Sequence, residues 1–524
     1  ARRPARVAVL HWEKLKMKTI ITLLCTASIA WAVEMASGTV FNDANGNGQR
    51  DPDEKGLAGV GVSNGEAIVE TDADGRWQLP VTDDTILFVL KPSGWMTPLN
   101  AHKLPQFHYI HKPKGSPPSR FPGSKPTGPL PKSIDFPLRK QAEPDQFRAV
   151  FFGDPQPTSQ TQIDYIANDV VAELVGTDAK FGVTLGDIMN DNLSLFGSLN
   201  RTVALIGIPW YNVIGNHDLN FEAKLDEHSD ETFERIYGPA YYSYDYGKVH
   251  FIVLDNVDWY HDEARKRSAY RGAFGKRQLA FVKASLARVP KDRLVMLMMH
   301  IPLTGTGDRQ ALYRLIEKRP YTLSISGHTH WQAHQFIDRG DGWMGAKPHH
   351  HIVNVTVSGT WWKGAKDERG IPHTTMRDGA PNGYSIITFD GAKATFDFKA
   401  SRFPANHQLR IHAPVALAAA DVAKTSVYVN VFAGSEKSTV KLRVNGGKWT
   451  PLKKTIEPDP YYVQLHAAEK LAKVSPELNP ARDSYHLWKG PLPAKLPKGA
   501  HLLEAVTRDM YGREYTAKRI LRVE

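Results

Sequence analysis

The sequence predicts an α/β core with a small all-β domain on each side, and three observations point there. Between residues 147 and 400, short apolar runs suited to strands buried on both faces alternate with amphipathic helical stripes. From Gly38 to about Leu138, and again from about Asn406 onward, the pattern turns to short alternating strands split by glycine-rich turns. A chain of 524 residues, 41% hydrophobic, also exceeds what one core organises, so roughly three domains are expected.

The first residues form a separate unit. Met17-Lys18, the apolar Ile20 to Cys25 and the small-x-small Ala30-Trp31-Ala32 have the shape of a secretory signal cleaved after Ala32, with residues 1–16 an upstream extension. Cys25 is the only cysteine, and Leu24 before it is too large for a lipidation site. The mature chain is then expected to lack any thiol, so a disulfide framework and a cysteine nucleophile are both excluded. No other apolar run approaches the ~20 residues of a membrane span. The expected location is a bacterial periplasm, or secretion. Residues 1–32 hold six Lys/Arg and one Glu, so the formal charge of +11 falls to +6 without them. That charge is too diffuse for a nucleic-acid-binding protein but suits anionic small substrates or headgroups.

Residues 33–140 read as an N-terminal β-sandwich. Gly59 to Val62, Ala67 to Val69 and Trp77 to Leu79 are its short strands. Asp43, Asn45, Asn47, Asp51 and Glu54 fall at positions 1, 3, 5, 9 and 12 of a loop with Gly48 at position 6 and Gln49 at position 7. This is the calcium-loop spacing of an EF-hand, without flanking helices. It resembles the calcium-stapled β-repeats of bacterial surface proteins, and a structural calcium is expected there. Lys112 to Lys132, with Pro117-Pro118 and Pro129-Leu130-Pro131, reads as a linker or long surface loop.

The catalytic stretch carries the chemistry. Asp154-Pro155-Gln156 follows Ala149 to Phe152, and Gly186-Asp187 follows Phe181 to Leu185. Gly215-Asn216-His217-Asp218 follows Trp210 to Ile214, His300 follows Leu294 to Met299, and Gly327-His328-Thr329-His330 follows Leu323 to Ser326. Ligands collect outside the carboxyl ends of strands in α/β sheets, so these residues should meet in one crevice. Oxygen and imidazole donors without thiolate favour manganese, iron or zinc. Asn190 and Asp191 read as surface loop as readily as anything chemical. Asp255, closing Phe251 to Leu254, reads as the cap of a turn. Ile163, Ile166, Val170 and Leu174 make one core-facing helical stripe; Leu279, Val282, Leu286 and Val289 make another.

In kind and order, these five pieces resemble the calcineurin-like metallophosphoesterases, in the branch with β-domains before and after the catalytic one. The departure is Gln156, where the family usually has His. The resemblance implies a metallophosphoesterase-type β-sandwich core flanked by helices over 147–400, with a C-terminal β-sandwich over 406–524. It implies one metal held by Asp154, Gln156, Asp187 and His330, and a second held by Asp187, Asn216, His300 and His328. It further implies that His217 stands over the leaving group as acid or charge stabiliser, oriented by Asp218. Two cations roughly 3.5–4 Å apart then share a hydroxide that attacks the phosphoryl group. Trp361, Trp362 and Asn382 are expected at the substrate wall, an apolar seam being the equal reading for the tryptophans. His349-His350-His351 is expected as a solvated loop.

The C-terminal segment alternates through Ser426 to Phe432, Thr439 to Val444, Ala505 to Asp509 and Lys518 to Val523, which suits an immunoglobulin-like or fibronectin-like sandwich. The function expected is that of an exported, dinuclear-metal hydrolase of a phosphomonoester or phosphodiester, its partner a small phosphorylated molecule or a lipid headgroup. The alternatives are an inactive cell-surface binding protein and a secreted nuclease. The intact ligand set weighs against the first, and the lack of a basic, aromatic-interleaved track against the second.

Overall fold

The computed structural model describes residues 34–524, and the signal-like segment expected over 1–32 lies outside them. Two sheets face each other across the core of residues 146–400. One orders Trp210–Val213, Phe181–Leu185, Gln146–Phe152, Gly383–Asp390 and Lys393–Ala400; the other orders Tyr242–Tyr246, Val249–Val253, Leu294–Met298, Thr322–Ser326, His349–Val353 and Ala333–Ile337. The first three strands of the first sheet are parallel, as are the four central strands of the second. Their burial explains the near-continuous apolar runs: Phe181–Leu185 and Leu294–Met298 are buried at every position. Phe147, Phe181, Tyr244, Phe251 and Phe389 interlock between the sheets, with Phe181 and Phe251 centroids 5.2 Å apart at 86°. Each such buried ring contributes about 1.5–3 kcal/mol of transfer free energy.

Register places the chemistry. Phe152 pairs with Thr184 and Thr184 with Asn212, so the residues just beyond those strands emerge side by side. On the facing sheet, Met298 pairs with Ile325, which brings the segments after Met299 and Ser326 together in the same way. The helical stripes do what their period implied. Ile163, Ile166, Val170 and Leu174 are buried, as are Val282 and Leu286.

The N-terminal domain stacks two four-stranded sheets. Lys112 to Lys132 is no free linker. Phe121 is buried and its carbonyl accepts from Asn220 (3.0 Å) and Thr232 (2.9 Å), while Lys112 Nζ meets Glu231 at 2.5 Å. The segment is a strap whose prolines supply extended backbone, and whose polar groups find partners on the catalytic domain. The C-terminal domain is a two-sheet sandwich of four and five strands, with one departure from the all-β expectation. Helix Pro460–Leu471 interrupts it, capped by the Asp459 side chain on Tyr461 N, with proline in the first turn. Buried Tyr462 brings that helix to Thr360, and Glu469 bonds His373 at 2.8 Å.

The expected loop His349-His350-His351 is instead an interior strand. His349 bonds Thr322 and Ser324, and His351 bonds Ser324 and Ser326. Alternating apolar neighbours are missing from that run, but neutral imidazoles satisfied by hydroxyls pack as well as apolar side chains. Burial holds the pKa of both His349 and His351 down at about 3.

Candidate metal centre

Five of the seven predicted ligands leave a strand through a turn that few side chains adopt. Asp154 (φ 41°), Gln156 (40°), Asp187 (47°), His328 (77°) and His330 (53°) all lie in the left-handed region. Non-glycine residues held there cost about 1–3 kcal/mol each, a strain typical of functional sites. The flanking glycines are required by close approach. A Cβ at Gly215 would lie 2.0 Å from Asp187 N, and one at Gly186, itself at φ 82°, would lie 2.4 Å from His300 Nδ1.

The turns bring seven side chains together. His300 Nε2 lies 3.2 Å from Asp187 Oδ1, 3.1 Å from Asn216 Oδ1 and 3.1 Å from His328 Nδ1. Donor atoms of Asp187, His300 and His328 all lie within 4.8 Å of one another. Beside them His330 Nε2 sits 3.9 Å from Asp154 Oδ1, and Gln156 Nε2 donates to Asp187 Oδ2 at 2.7 Å. Outer contacts fix the rings: His300 Nδ1 meets Leu185 O at 2.9 Å and His330 Nδ1 meets Gly359 O at 2.7 Å, which turns each Nε2 inward.

These residues fit divalent cations. The donors are carboxylate and amide oxygens and imidazole nitrogens, all buried except half-buried His328. Gln156 Oε1 is buried without a hydrogen-bond partner. Two imidazole nitrogens 3.1 Å apart, His300 Nε2 and His328 Nδ1, need a proton or a cation between them. Burial, then the charge of His300, pushes His328 down to about 3. Burial opposes the charge on His300, yet Asp187 outweighs it and lifts that ring to about 9. Burial raises Asp154 to about 8, whereas burial of Asp187 is overcome by His300 and His217, which hold its carboxyl below the usual range.

Three profiles of one family match in sequence order: the N terminal of calcineurin-like phosphoesterase over 44–124, calcineurin-like phosphoesterase over 147–332, and the C terminal of calcineurin-like phosphoesterase over 351–515. The chain belongs to the calcineurin-like phosphoesterase family. No curated protein matches it. Among solved structures it is similar to purple acid phosphatase PPD1 from yellow lupin (Lupinus luteus) seeds, at 13% identity and a TM-score of 0.34, over 70% of this chain and 66% of that one. It is also similar to PhoD, at 12% identity and a TM-score of 0.36, over 71% of this chain and 90% of that one. The chain thus spans just under two thirds of the lupin protein's length.

In this calcineurin-like phosphoesterase, the residue that orients His217 is not the expected one. Asp218 is buried and accepts from Gly215 N (2.9 Å), Ile188 N (3.1 Å) and Met189 N (2.9 Å), tying two site loops together. Its carboxylate is thus occupied by backbone. Asp191 instead meets His217 Nδ1 at 2.5 Å, and His217 N donates to Asp187 Oδ1 at 2.9 Å. Burial opposes the charge on the His217 ring, but Asp187 and then Asp191 outweigh it and raise the pKa to about 9.

The expected substrate wall is also redrawn. Trp361 stacks on His330 with centroids 3.9 Å apart at 25°. Trp362 is buried and its Nε1 donates to Pro155 O at 3.0 Å, so it braces the turn between Asp154 and Gln156 and is not an exposed wall. Asn382 is likewise buried, donating to Asp169 and Val357 O. Tyr270, on the hairpin of Val257–Asp262 and Arg267–Gly272, meets His328 edge-on at 6.1 Å. Trp331 stacks on Tyr485 of the C-terminal domain at 4.7 Å.

In the N-terminal domain the predicted calcium loop closes on itself. Asp43 accepts from Gly46 N and Gly48 N, Glu54 from Ala44 N and Asp51 N, and the amides of Asn45 and Asn47 donate to Asp51. Gln49 N donates to Asn47 Oδ1, and the Gln49 side chain stays exposed. As expected, Asp255 caps its turn, accepting from Val257 N at 2.9 Å.

Proposed function

We propose that this protein is an exported phosphoesterase with two divalent ions, hydrolysing a phosphomonoester or phosphodiester of a small molecule, free or as a lipid headgroup. The observation that carries the reading is the convergence of seven strand-end donors with an acid–histidine pair beside them. Asp154, Gln156, Asp187 and His330 would hold one ion; Asp187, Asn216, His300 and His328 the other. Manganese, iron and zinc suit these donors. When bound, the ions supply Lewis-acid charge at the phosphoryl group and activate the attacking water.

The chain's own residues do the rest. Asp191 holds the proton on His217 Nδ1, and Nε2 delivers a proton to the leaving oxygen. Trp361 fixes the plane of His330, and Trp362 fixes the Asp154–Gln156 turn. Exposed Tyr270 and half-buried Trp361 shape the rim against which the substrate's organic part packs. Calcium on Asp43, Asn45, Asn47, Asp51 and Glu54, with Gln49 lending backbone, would staple the N-terminal domain without touching catalysis. Export rests on the signal-like pattern before Val33. No helix among the described residues is long and apolar enough to cross a membrane.

The test profiles purified protein, loaded with each ion in turn, against phosphomonoesters, phosphodiesters, nucleotides and phospholipid headgroups. Hydrolysis of one class supports the proposal. Full metal occupancy with no hydrolysis of any class overturns it in favour of a binding protein.

A further inference from the structure

A second cluster of metal-binding side chains lies between the N-terminal and catalytic domains. Asp84, just before strand Thr85–Val89, comes from the accessory domain. His228 and Glu231, around the start of helix Glu231–Tyr237, come from the catalytic domain. One donor atom from each lies within 4.8 Å of the others.

Part of this cluster is neutralised within the chain. Lys112 Nζ lies 2.5 Å from Glu231 Oε2, 3.0 Å from Asp84 Oδ1 and 3.2 Å from Glu234 Oε2. One ammonium is thus shared among three carboxyl groups, and burial raises the pKa of Asp84, lifts Glu234 to about 7 and pushes neighbouring Asp230 well above its usual value. The decisive atom is Glu231 Oε1. Glu231 is 2% exposed, Oε1 has no hydrogen-bond partner, and it faces His228 Nδ1 at 3.3 Å. Asp230 Oδ1 is likewise buried without a hydrogen bond. Leaving a buried carboxylate oxygen unsatisfied is costly, and a cation removes that cost. The cluster borders an open cleft of about 1110 Å³ lined by Asp84, Asp230, Glu234 and Asp255, which gives an ion a path in.

We propose that Asp84, His228 and Glu231 form an additional divalent-metal site that pins the accessory domain to the catalytic domain. Two carboxylates and an imidazole suit zinc or manganese, whereas calcium takes oxygen ligands. Lys112 stays in place, since it engages the other oxygen of Glu231. The site is independent of the catalytic reading.

Zinc titration by calorimetry on the full chain decides it. Asp187→Asn with His300→Ala first disables the catalytic centre. In that background, zinc binding is expected to persist and to raise the melting temperature. Loss of an outer partner of a metal ligand costs about 10–100-fold in affinity, so adding His228→Ala should weaken this zinc by more than about 100-fold. Asp84→Asn should act in the same direction. Both residues are half-exposed and leave Glu231 in its pairing with Lys112, so folding is expected to hold and circular dichroism checks it. No measurable zinc in the background, or zinc affinity unchanged by both His228→Ala and Asp84→Asn, overturns the proposal.

Discussion

Replacing Asp191 with Asn tests how the acid of this site is held. The Asp191–His217 contact is a charge-assisted bond of 2.5 Å, of a kind worth about 1.5–3 kcal/mol when well shielded. The Asp191 side chain is 51% exposed, so solvent screens it, and about 1–2 kcal/mol is the fair share. At 1.4 kcal/mol per factor of ten, kcat should fall roughly 5–30-fold. His217→Ala removes the acid itself and should cost about 10²–10⁴. The sign of the pH effect follows from the same contact. Burial opposes the charge on His217 and the neighbouring carboxylates outweigh it; of these Asp191 hydrogen-bonds the ring directly, so losing its charge lowers the pKa. Asp191→Asn should move the alkaline limb of kcat to lower pH, with KM and metal content near wild type. Asp218→Ala is the contrast. It strands three buried N–H groups at about 1–3 kcal/mol each and should lower stability and metal content together. Unchanged kcat and pH profile in Asp191→Asn, measured by steady-state kinetics from pH 6 to 10, would refute the assignment.

Other expectations follow from the same geometry. Gln156→Ala should lower occupancy at one metal position and leave the Asn216–His300–His328 position filled, while Gln156→His should tighten zinc or iron; elemental analysis reads both. Gly215→Ala places a Cβ 2.0 Å from Asp187 N and should abolish the metal centre in a chain that still shows native far-UV dichroism. Asp43→Ala with Glu54→Ala should remove any calcium-dependent rise in melting temperature and leave the catalytic rate unchanged. A parent protein that shows no such rise in calcium sinks the loop site.

The convergence of the predicted ligands was legible because each sits at the end of its own apolar run, a signal local to about ten residues. Sequence could not say which carboxylate faces His217. Asp191 and Asp218 lie in different loops that meet only when strands Phe181–Leu185 and Trp210–Val213 pair. Trp361 and Trp362 look alike in sequence, yet one lies on His330 and the other is buried under Pro155. The triple-histidine strand hid because hydroxyls on a neighbouring strand satisfy the rings of His349 and His351, and His334 meets His350, contacts no period encodes. Helix Pro460–Leu471 went unread: Asp459 caps it and Pro460 opens it, but its weak apolar stripe does not stand out from the surrounding β pattern.

In the proposed metal centre these strand ends hold two ions around Asp187. Anomalous diffraction from crystals soaked in manganese or zinc tests it most directly. Two peaks roughly 3.5–4 Å apart are expected, bridged by Asp187, with Gln156 and His330 on one and Asn216, His300 and His328 on the other. A single peak, or none among these residues at full soaking, would contradict it.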